Sequence, residues 1–333
     1  NMKRKLAFLL MLCFGWSFFL NGCGGTLPKT DDRLQVVCTI FPEYDWARQL
    51  TQGVDNVDLT LLVKNGTDLH SYQPSVRDIA MIARADVFCY VGGVSDTWVN
   101  DVLDTTENRT AQLVSMTEAA DADEEVLAEG MQAEHEHEHE HDHHDDESDS
   151  HEEPPELDEH VWLSLRRAAL ACAAMKEALC KADPAHEDIY NQNCTDYLQK
   201  LQELDSDFTE MTSQAARDTI VVADRFPFRY LAEDYGLTYY AAFPGCSAET
   251  EASFETIVFL SEKVESLHLP CVLVTEGSNS SLAKTILENA GSDGKILTLQ
   301  SLQAVSQKEI DAGVTYLSKM QENYDVLKQA LNS

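Results

Sequence analysis

The chain has 333 residues, 58 of them Asp or Glu against 24 Lys or Arg, which leaves a formal net charge of -34. That excess of acid argues against nucleic acid, whose phosphates want Lys and Arg, and suits a cationic ligand. The length allows two domains with a core each, and the nine cysteines contain no Cys-x-x-Cys pair, which removes zinc ribbons and thioredoxin-type sites.

Lys3, Arg4 and Lys5 precede an apolar run from Leu6 to Leu20, the charged and hydrophobic parts of an export signal. The run falls short of the ~18–20 residues that a bilayer-crossing helix needs, so cleavage is expected. Leu20-Asn21-Gly22-Cys23 follows and resembles a bacterial lipobox, with Asn21 departing from the usual small or apolar residue. The resemblance implies a lipid on Cys23 and an extracytoplasmic protein anchored to the bilayer. Gly24 and Gly25 begin a polar tether, so residues 1–32 read as signal peptide, lipobox and tether.

From residue 34 short β-branched runs alternate with amphipathic stretches, the pattern of βα units and a parallel sheet. Strands are expected at Val36–Ile40, Asp58–Val63 and Val87–Val91, with a turn at Phe41-Pro42 after the first. A helix over Ser75–Ala83 fits between the last two: Ser75 can cap it, and Val76, Ile79, Ala80 and Ala83 recur at helical spacing. These elements make a first α/β lobe over residues 33–163. Inside it, residues 118–157 read as a disordered loop, because Glu118 to Glu159 holds 20 acidic residues and no Lys or Arg and cannot bury a core. His135, His137, His139, His141, His143, His144 and His151 are interleaved with those acids and offer weak metal sites. The run also matches the HExxH pattern of zinc proteases, but no apolar residue between His135 and His151 provides the helix back face that such chemistry needs.

Residues 164–216 turn helical. One long helix is expected from Asp183 to Ala216, with Ile189, Tyr197, Leu201, Leu204 and Phe208 at three- or four-residue intervals for most of its length. A helix of that length joins two lobes as a strut rather than a hinge. Over residues 217–333 the alternation resumes, with strands at Ile220–Ala223, Leu237–Ala242, Cys271–Thr275 and Ile296–Leu299 and a closing helix to about Leu331. The fold class is α/β: two parallel-sheet lobes joined by a long rigid helix, with a cleft where the carboxyl ends of the strands face each other. Outside the cytoplasm, disulfides Cys38 with Cys89 or Cys246 with Cys271 would each join strands of one lobe, and buried free thiols are the equal alternative.

His70 sits in a turn after a strand, in Asp68-Leu69-His70-Ser71-Tyr72-Gln73-Pro74, and His160 sits where the acidic loop ends, in Asp158-Glu159-His160-Val161-Trp162-Leu163. Neutral imidazole is the commonest metal ligand in proteins. With Gly245-Cys246-Ser247, Glu276, and Thr315-Tyr316-Leu317 ahead of Met320, Asn323 and Leu327, these segments occur in the order found in the zinc and manganese ABC-transporter solute-binding proteins. Including the histidine-rich insertion, the chain resembles that family over nearly all its mature length. The resemblance implies two lobes bridged by a rigid helix and a metal held between them. Two of its ligands are histidines of the first lobe, falling on His70 and His160, and two come from the second.

The second pair departs from the family. Zinc members usually carry a third histidine after the first strand of lobe two, and manganese members a glutamate; here the place reads Val222-Ala223-Asp224-Arg225-Phe226-Pro227. Counting back from Tyr230 puts Arg225 there, but guanidinium has no lone pair to donate. Counting forward from the strand puts Asp224 there, with one residue inserted in the turn, and Asp224 is taken as the third ligand, leaving Arg225 to pair with a cleft carboxylate. The fourth place, an aspartate in many relatives, reads Gln300, a weak amide donor, so Glu276 or water is the other source.

The sequence therefore reads as a metal carrier and not an enzyme: the zinc-binding, lipid-anchored, monomeric component of an ABC importer. Its partners are a membrane permease and the bilayer. Manganese (Mn2+) is the alternative to Zn2+ as cargo; the histidine-rich loop favours zinc. An anchored zinc-dependent hydrolase and a surface protein for adhesion are the readings from other classes. No glycine-rich phosphate loop and no GxSxG elbow occurs, so the importer's ATPase is expected on another chain.

Overall fold

Leu34-Gln35-Val36-Val37-Cys38 is apolar on both faces, as a strand covered on both sides must be, and it forms β1 (Leu34–Cys38) at the centre of the first sheet. The computed structural model describes residues 33–64, 66–106, 110–131, 156–247 and 251–333, and Leu34–Ser333 forms one compact unit. The turn expected at Phe41-Pro42 is instead the start of helix α1 (Phe41–Leu50). Proline is tolerated in a first helical turn, where its missing N–H has no partner to lose. The Glu43 carboxylate accepts from the Thr39 and Ile40 N–H groups at 2.7 and 3.2 Å and closes that turn.

The first lobe continues through β2 (Val57–Leu61), α2 (Val76–Ile82), β3 (Val87–Tyr90), α3 (Trp98–Thr105), β4 (Gln112–Ser115) and a one-turn α4 (Met116–Ala119). Ser75 caps α2 as expected, accepting from the Asp78 N–H. β4 was not expected: it is a four-residue edge strand with Leu113 exposed, too short and too mixed to carry an alternation signal.

Two helices follow, α5 (Leu165–Ala182) and, after the Asp183-Pro184 break, α6 (Glu187–Ser213). The stripe that α6 buries is Tyr190, Cys194, Tyr197, Leu201, Leu204, Phe208 and Met211, alternating steps of four and three. It starts at Tyr190 rather than Ile189. One face of α6 thus packs on α5, α1 and the final helix over its whole length.

The second lobe comprises β5 (Thr219–Phe226), α7 (Arg229–Asp234), β6 (Thr238–Pro244), α8 (Phe254–Ser266), β7 (Cys271–Thr275), α9 (Ser281–Asn289), β8 (Lys295–Leu299), α10 (Gln307–Asp311) and α11 (Tyr316–Asn332). Both sheets are four-stranded and parallel, ordered β2-β1-β3-β4 and β6-β5-β7-β8, so the lobes share one topology. In each, the strand order reverses beside the first strand, which is where a parallel sheet opens a crevice at its carboxyl edge. The largest core joins residues of both sheets through α5, α6 and α11, while smaller cores fill the outer face of each lobe.

Three expectations need correction. The one-residue insertion placed in the turn after β5 lies inside the strand: the β5–β6 register runs from Val222 to Arg225 against Ala241 to Phe243, a bulge holding one extra residue. The acidic segment is ordered at both ends, since Glu124 and Leu157 form an antiparallel bridge and the Asp158 and Glu125 N–H groups donate to Asp123 and Glu156 oxygens. Disorder at 118–131 and 156–157 is therefore overturned, because tertiary partners such as Tyr230 and Arg167 bind this neck. Neither disulfide forms, and all seven described cysteines are free. Cys38 and Cys89 are register partners buried as thiols, whereas Cys246 follows the carboxyl end of β6 and Cys271 opens β7, opposite ends of one parallel sheet. Among the described residues no helix is long and apolar enough to cross a membrane.

Candidate metal centre

His70 stands in the middle of a single 3-10 turn, Leu69–Ser71, between β2 and α2. The turn forms because the Asp68 carboxylate accepts from the His70 N–H at 3.0 Å, a local cap that a short polar residue supplies and an apolar one cannot. His160 begins the matching turn Val161–Leu163, and Asp158 repeats the device, accepting from the His160 N–H at 3.1 Å. Each histidine is thus placed by the aspartate two residues before it.

The imidazoles meet with ring centroids 5.5 Å apart. His160 donates Nδ1–H to the same Asp158 carboxylate at 2.9 Å. His70 Nδ1 lies 2.6 Å from Ser95 Oγ, which donates to Glu159, and 3.2 Å from Glu159 Oε1 itself. With both Nδ1 atoms engaged, each ring keeps its lone pair on Nε2, and both Nε2 atoms are buried without a hydrogen-bond partner among the described residues. A buried polar atom without a partner costs on the order of 1–3 kcal/mol. Two such atoms, on rings 5.5 Å apart, fit a cation that would satisfy both. A carboxylate on the far nitrogen is the usual support of a ligating histidine, fixing its tautomer and raising its basicity.

The surroundings are electrostatically strained. Burial alone would push the His160 pKa down, yet Asp158, Glu159 and Glu125 together raise it. Burial would raise Glu159, but the hydrogen bonds and charges of His70, His160 and Ser95 hold it below the usual carboxylate range. Cys246 joins this group: its Sγ donates to Glu159 Oε1 at 3.8 Å, and burial with the Glu159 charge pushes the thiol pKa up. Donor atoms of His70, Glu159, His160 and Cys246 all lie within 4.8 Å of one another.

A cavity of about 690 Å³ opens between the lobes, with Asp68 and His70 on one side and Arg225, Gly245, Cys246 and Glu276 on the other. His160 and Glu159 are fully buried behind it. Second-lobe atoms hold their segment from the other side: Tyr230 Oη donates to the Asp158 carbonyl at 2.7 Å, Trp162 Nε1 to the Ser301 carbonyl at 2.8 Å, and Tyr316 Oη to the Trp162 carbonyl at 2.6 Å.

Of the residues expected to bind metal, His70 and His160 come together. The other three are engaged elsewhere and are not part of the four-donor cluster. Asp224 accepts from the Thr275 hydroxyl at 2.8 Å and the Arg225 N–H at 2.9 Å, because the bulge turns it toward β7. Arg225 crosses the cleft to Asp68 at 2.8 Å, the carboxylate pairing expected of it, and holds Asp68 below the usual carboxylate range against the upward push of burial. Glu276 binds Ser301 through its backbone N–H and its hydroxyl, both at 2.6 Å; burial raises its pKa and those bonds oppose the rise. The Gln300 backbone exchanges hydrogen bonds with the Asn323 side chain at 2.7 and 2.9 Å. Cys23 and the loop histidines His135, His137, His139, His141, His143, His144 and His151 lie outside the described residues. Glu159, Asp158 and Ser95 were missed as supports and Cys246 as a neighbour. Asp158 and Glu159 flank His160 in the motif and were legible in principle, but no spacing signal links Cys246 to a histidine 86 positions earlier.

Comparison with known proteins places this geometry in a lineage. The family model for ZnuA, the periplasmic component A of zinc-uptake complexes, matches residues 36–330. The zinc-binding lipoprotein AdcA of Streptococcus pneumoniae is 32% identical over 328 residues, 98% of this chain but 61% of that protein, so the chain spans about three fifths of the streptococcal relatives' length. The high-affinity zinc uptake system protein ZnuA of Bacillus subtilis is 30% identical over 329 residues, 97% of this chain and 96% of that protein. Among solved structures, the Zn(II)-bound ZnuA-like domain of Streptococcus pneumoniae AdcA has a TM-score of 0.69 at 29% identity, covering 90% of this chain and 100% of that domain. The metal-dependent lipoprotein YcdH of Bacillus subtilis has a TM-score of 0.71 at 26% identity with the same coverages. With one profile spanning nearly all the described chain and relatives aligned from end to end of it, the protein belongs to the ZnuA family of zinc-uptake components.

Proposed function

We propose that this chain captures a zinc ion between its two lobes outside the cytoplasm and delivers it to the membrane permease of an ABC importer, with no reaction of its own. The observation that carries the reading is the pair of imidazoles His70, which lines the interlobe cleft, and His160, buried behind it, each supported at Nδ1 and each with a buried, unpartnered Nε2. Nitrogen donors suit zinc better than manganese, which takes an oxygen-rich shell. The zinc-binding names of the relatives support the same cargo.

In this reading the lobes divide at about residues 163 and 216, the helical stretch between them stiffens the pair, and the protein works as a monomer. Cys23 carries a lipid that tethers it to the membrane, and the loop histidines hold zinc loosely and raise its concentration near the cleft. Release follows from a small separation of the lobes, which lowers the number of donors around the ion.

The test is a titration of metal-stripped protein with zinc in the presence of a competing chelator. About one equivalent is expected to bind tightly, with weaker equivalents in addition. Deleting residues 134 to 151 should remove only the weak sites, and His70→Ala should remove the tight one. Loss of the tight site with the loop, together with an unaffected His70→Ala variant, would overturn the assignment. Metal analysis after expression in medium containing both zinc and manganese identifies the cargo.

A further inference from the structure

We infer that the second lobe's ligand to the captured ion is the Cys246 thiolate, which makes the centre a mixed imidazole–thiolate site. The inference rests on the metal-carrier reading above and specifies its second half. Among the described residues, the group of converging donors contains three side chains from the first lobe, His70, Glu159 and His160, and a single one from the second, Cys246. The other second-lobe groups on the cleft are committed or unsuited: Asp224 to Thr275 and Arg225, Glu276 to Ser301, and Arg225 has no lone pair.

The position of Cys246 is set by packing. Gly245, on the turn that leaves β6, passes so close to His160 that a Cβ there would fall 2.7 Å from Cε1 and 2.9 Å from Nδ1 of the ring. Glycine lets the second-lobe backbone rest on the imidazole, and the next residue, Cys246, then faces the cleft. Its Sγ already donates to Glu159 Oε1. His160 is fully buried with Nε2 unpartnered, an independent mark of a ligand on the ring against which Gly245 packs.

Around a tetrahedral zinc ion, nitrogen and sulfur donors sit about 3.3–3.6 Å apart, from bonds of ~2.0–2.1 Å to nitrogen and ~2.3 Å to sulfur. The four donors here lie within 4.8 Å of one another, so a contraction on the order of 1 Å brings them to bonding distance. Because three donors share one lobe and Cys246 belongs to the other, that contraction draws the second lobe onto the first. On binding, the Sγ–H bond breaks, an Sγ–metal bond forms, and the proton leaves to bulk water. No electron is transferred. A thiolate in the shell favours soft or borderline divalent ions over hard ones, so zinc and cadmium gain and manganese does not.

The experiment uses the full chain loaded with one equivalent of cobalt(II), a spectroscopic stand-in for zinc. A thiolate ligand gives an intense sulfur-to-metal charge-transfer band in the near ultraviolet, which imidazole and carboxylate shells lack and loop histidines cannot produce. The wild-type band is expected, and Cys246→Ser is expected to abolish it while cobalt still binds through the histidines. Cadmium affinity should fall at least about tenfold in the same variant and manganese affinity by much less. Far-ultraviolet circular dichroism of Cys246→Ser should match wild type, and Cys246→Ala provides a second side chain if the hydroxyl itself disturbs the cleft. Cobalt bound without the band, or a band that survives both substitutions, overturns the Cys246 assignment and leaves the histidine site standing. A His160→Ala variant that binds as tightly as wild type overturns the histidine site instead.

Discussion

The two walls of the cleft are built differently. The first-lobe wall holds His70, Glu159 and His160 in a buried network in which every orientation is set by a neighbouring aspartate, serine or glutamate. In the second-lobe wall, Asp224 and Glu276 are tied into their own strand ends and Arg225 reaches across to Asp68. In the function proposed above, one wall is thus ordered before a cation arrives, which lowers the ordering cost of binding. The other contributes contact, a crossing ion pair and one thiol. The asymmetry suits a carrier: the ion can be recognised by a rigid half-site and released when the second half moves away.

The sharpest way to break this comparison is to remove the rigid half. His160→Ala should lower zinc affinity by at least ~100-fold and abolish the rise in Tm that zinc gives the wild type, read by chelator competition and calorimetry. An unchanged affinity would mean that the first wall is ordinary packing. Next in size is Gly245→Ala, where the added methyl must push the second lobe off the His160 ring or displace that ring. A cost of about 1–3 kcal/mol in metal-free stability is expected from overpacking, with weaker zinc binding alongside. If both parameters match wild type, the lobes do not rest on each other at this point.

Asp158→Asn tests support rather than ligation. Keeping the shape but losing the charge at His160 Nδ1 should cost roughly tenfold in zinc affinity. An effect as large as that of His160→Ala would make Asp158 more than a support. Behind the same wall, Glu43 is buried, and burial with the nearby Asp96 charge lifts its pKa to about 8 against the pull of Thr39 and Ile40. The folded chain keeps that proton to higher pH than the unfolded chain, whose value is near 4.5. Its contribution is therefore complete below the unfolded value and is lost as pH rises toward about 8. Glu43→Gln should flatten this slope, gaining a few °C in Tm relative to wild type at about pH 8 and little at about pH 5. An unaltered slope would place the titration elsewhere. The smallest effect belongs to Arg225→Ala, which deletes an ion pair whose side chains are 34% and 33% exposed. Solvent screening keeps that pair under about 1 kcal/mol, so a larger loss of stability would show the second wall to be more rigid than its contacts suggest.

The lobes, the long helix and the two histidine turns were legible in the chain because each is written in local periodicity or a short motif. Strand positions came within a few residues, since β-branched runs in a parallel sheet are buried on both faces, and the α6 stripe was visible from Tyr197 to Phe208. His70 and His160 carry their own aspartate caps within two residues, so their turns are local as well. Where expectation failed, the deciding contact was a side-chain hydrogen bond that leaves no periodic signal, local for α1 and distant for the acidic neck. α1 depends on Glu43 reaching back to the β1 end, and the acidic neck is ordered by Tyr230 and Arg167 far along the chain.

What the amino-acid order determined by itself is the architecture and the two histidine turns. Both follow from interactions among residues a few positions apart, which sequence spacing records. Only tertiary structure decided how the side chains assemble: His70 meets Ser95, Glu159 and His160, a bulge in β5 turns Asp224 to β7 and Arg225 to Asp68, and Gly245 lets Cys246 come to rest beside His160. Those outcomes depend on which backbone of one lobe packs against which side chain of the other, and a contact between residues more than eighty positions apart leaves no periodic trace in a single sequence.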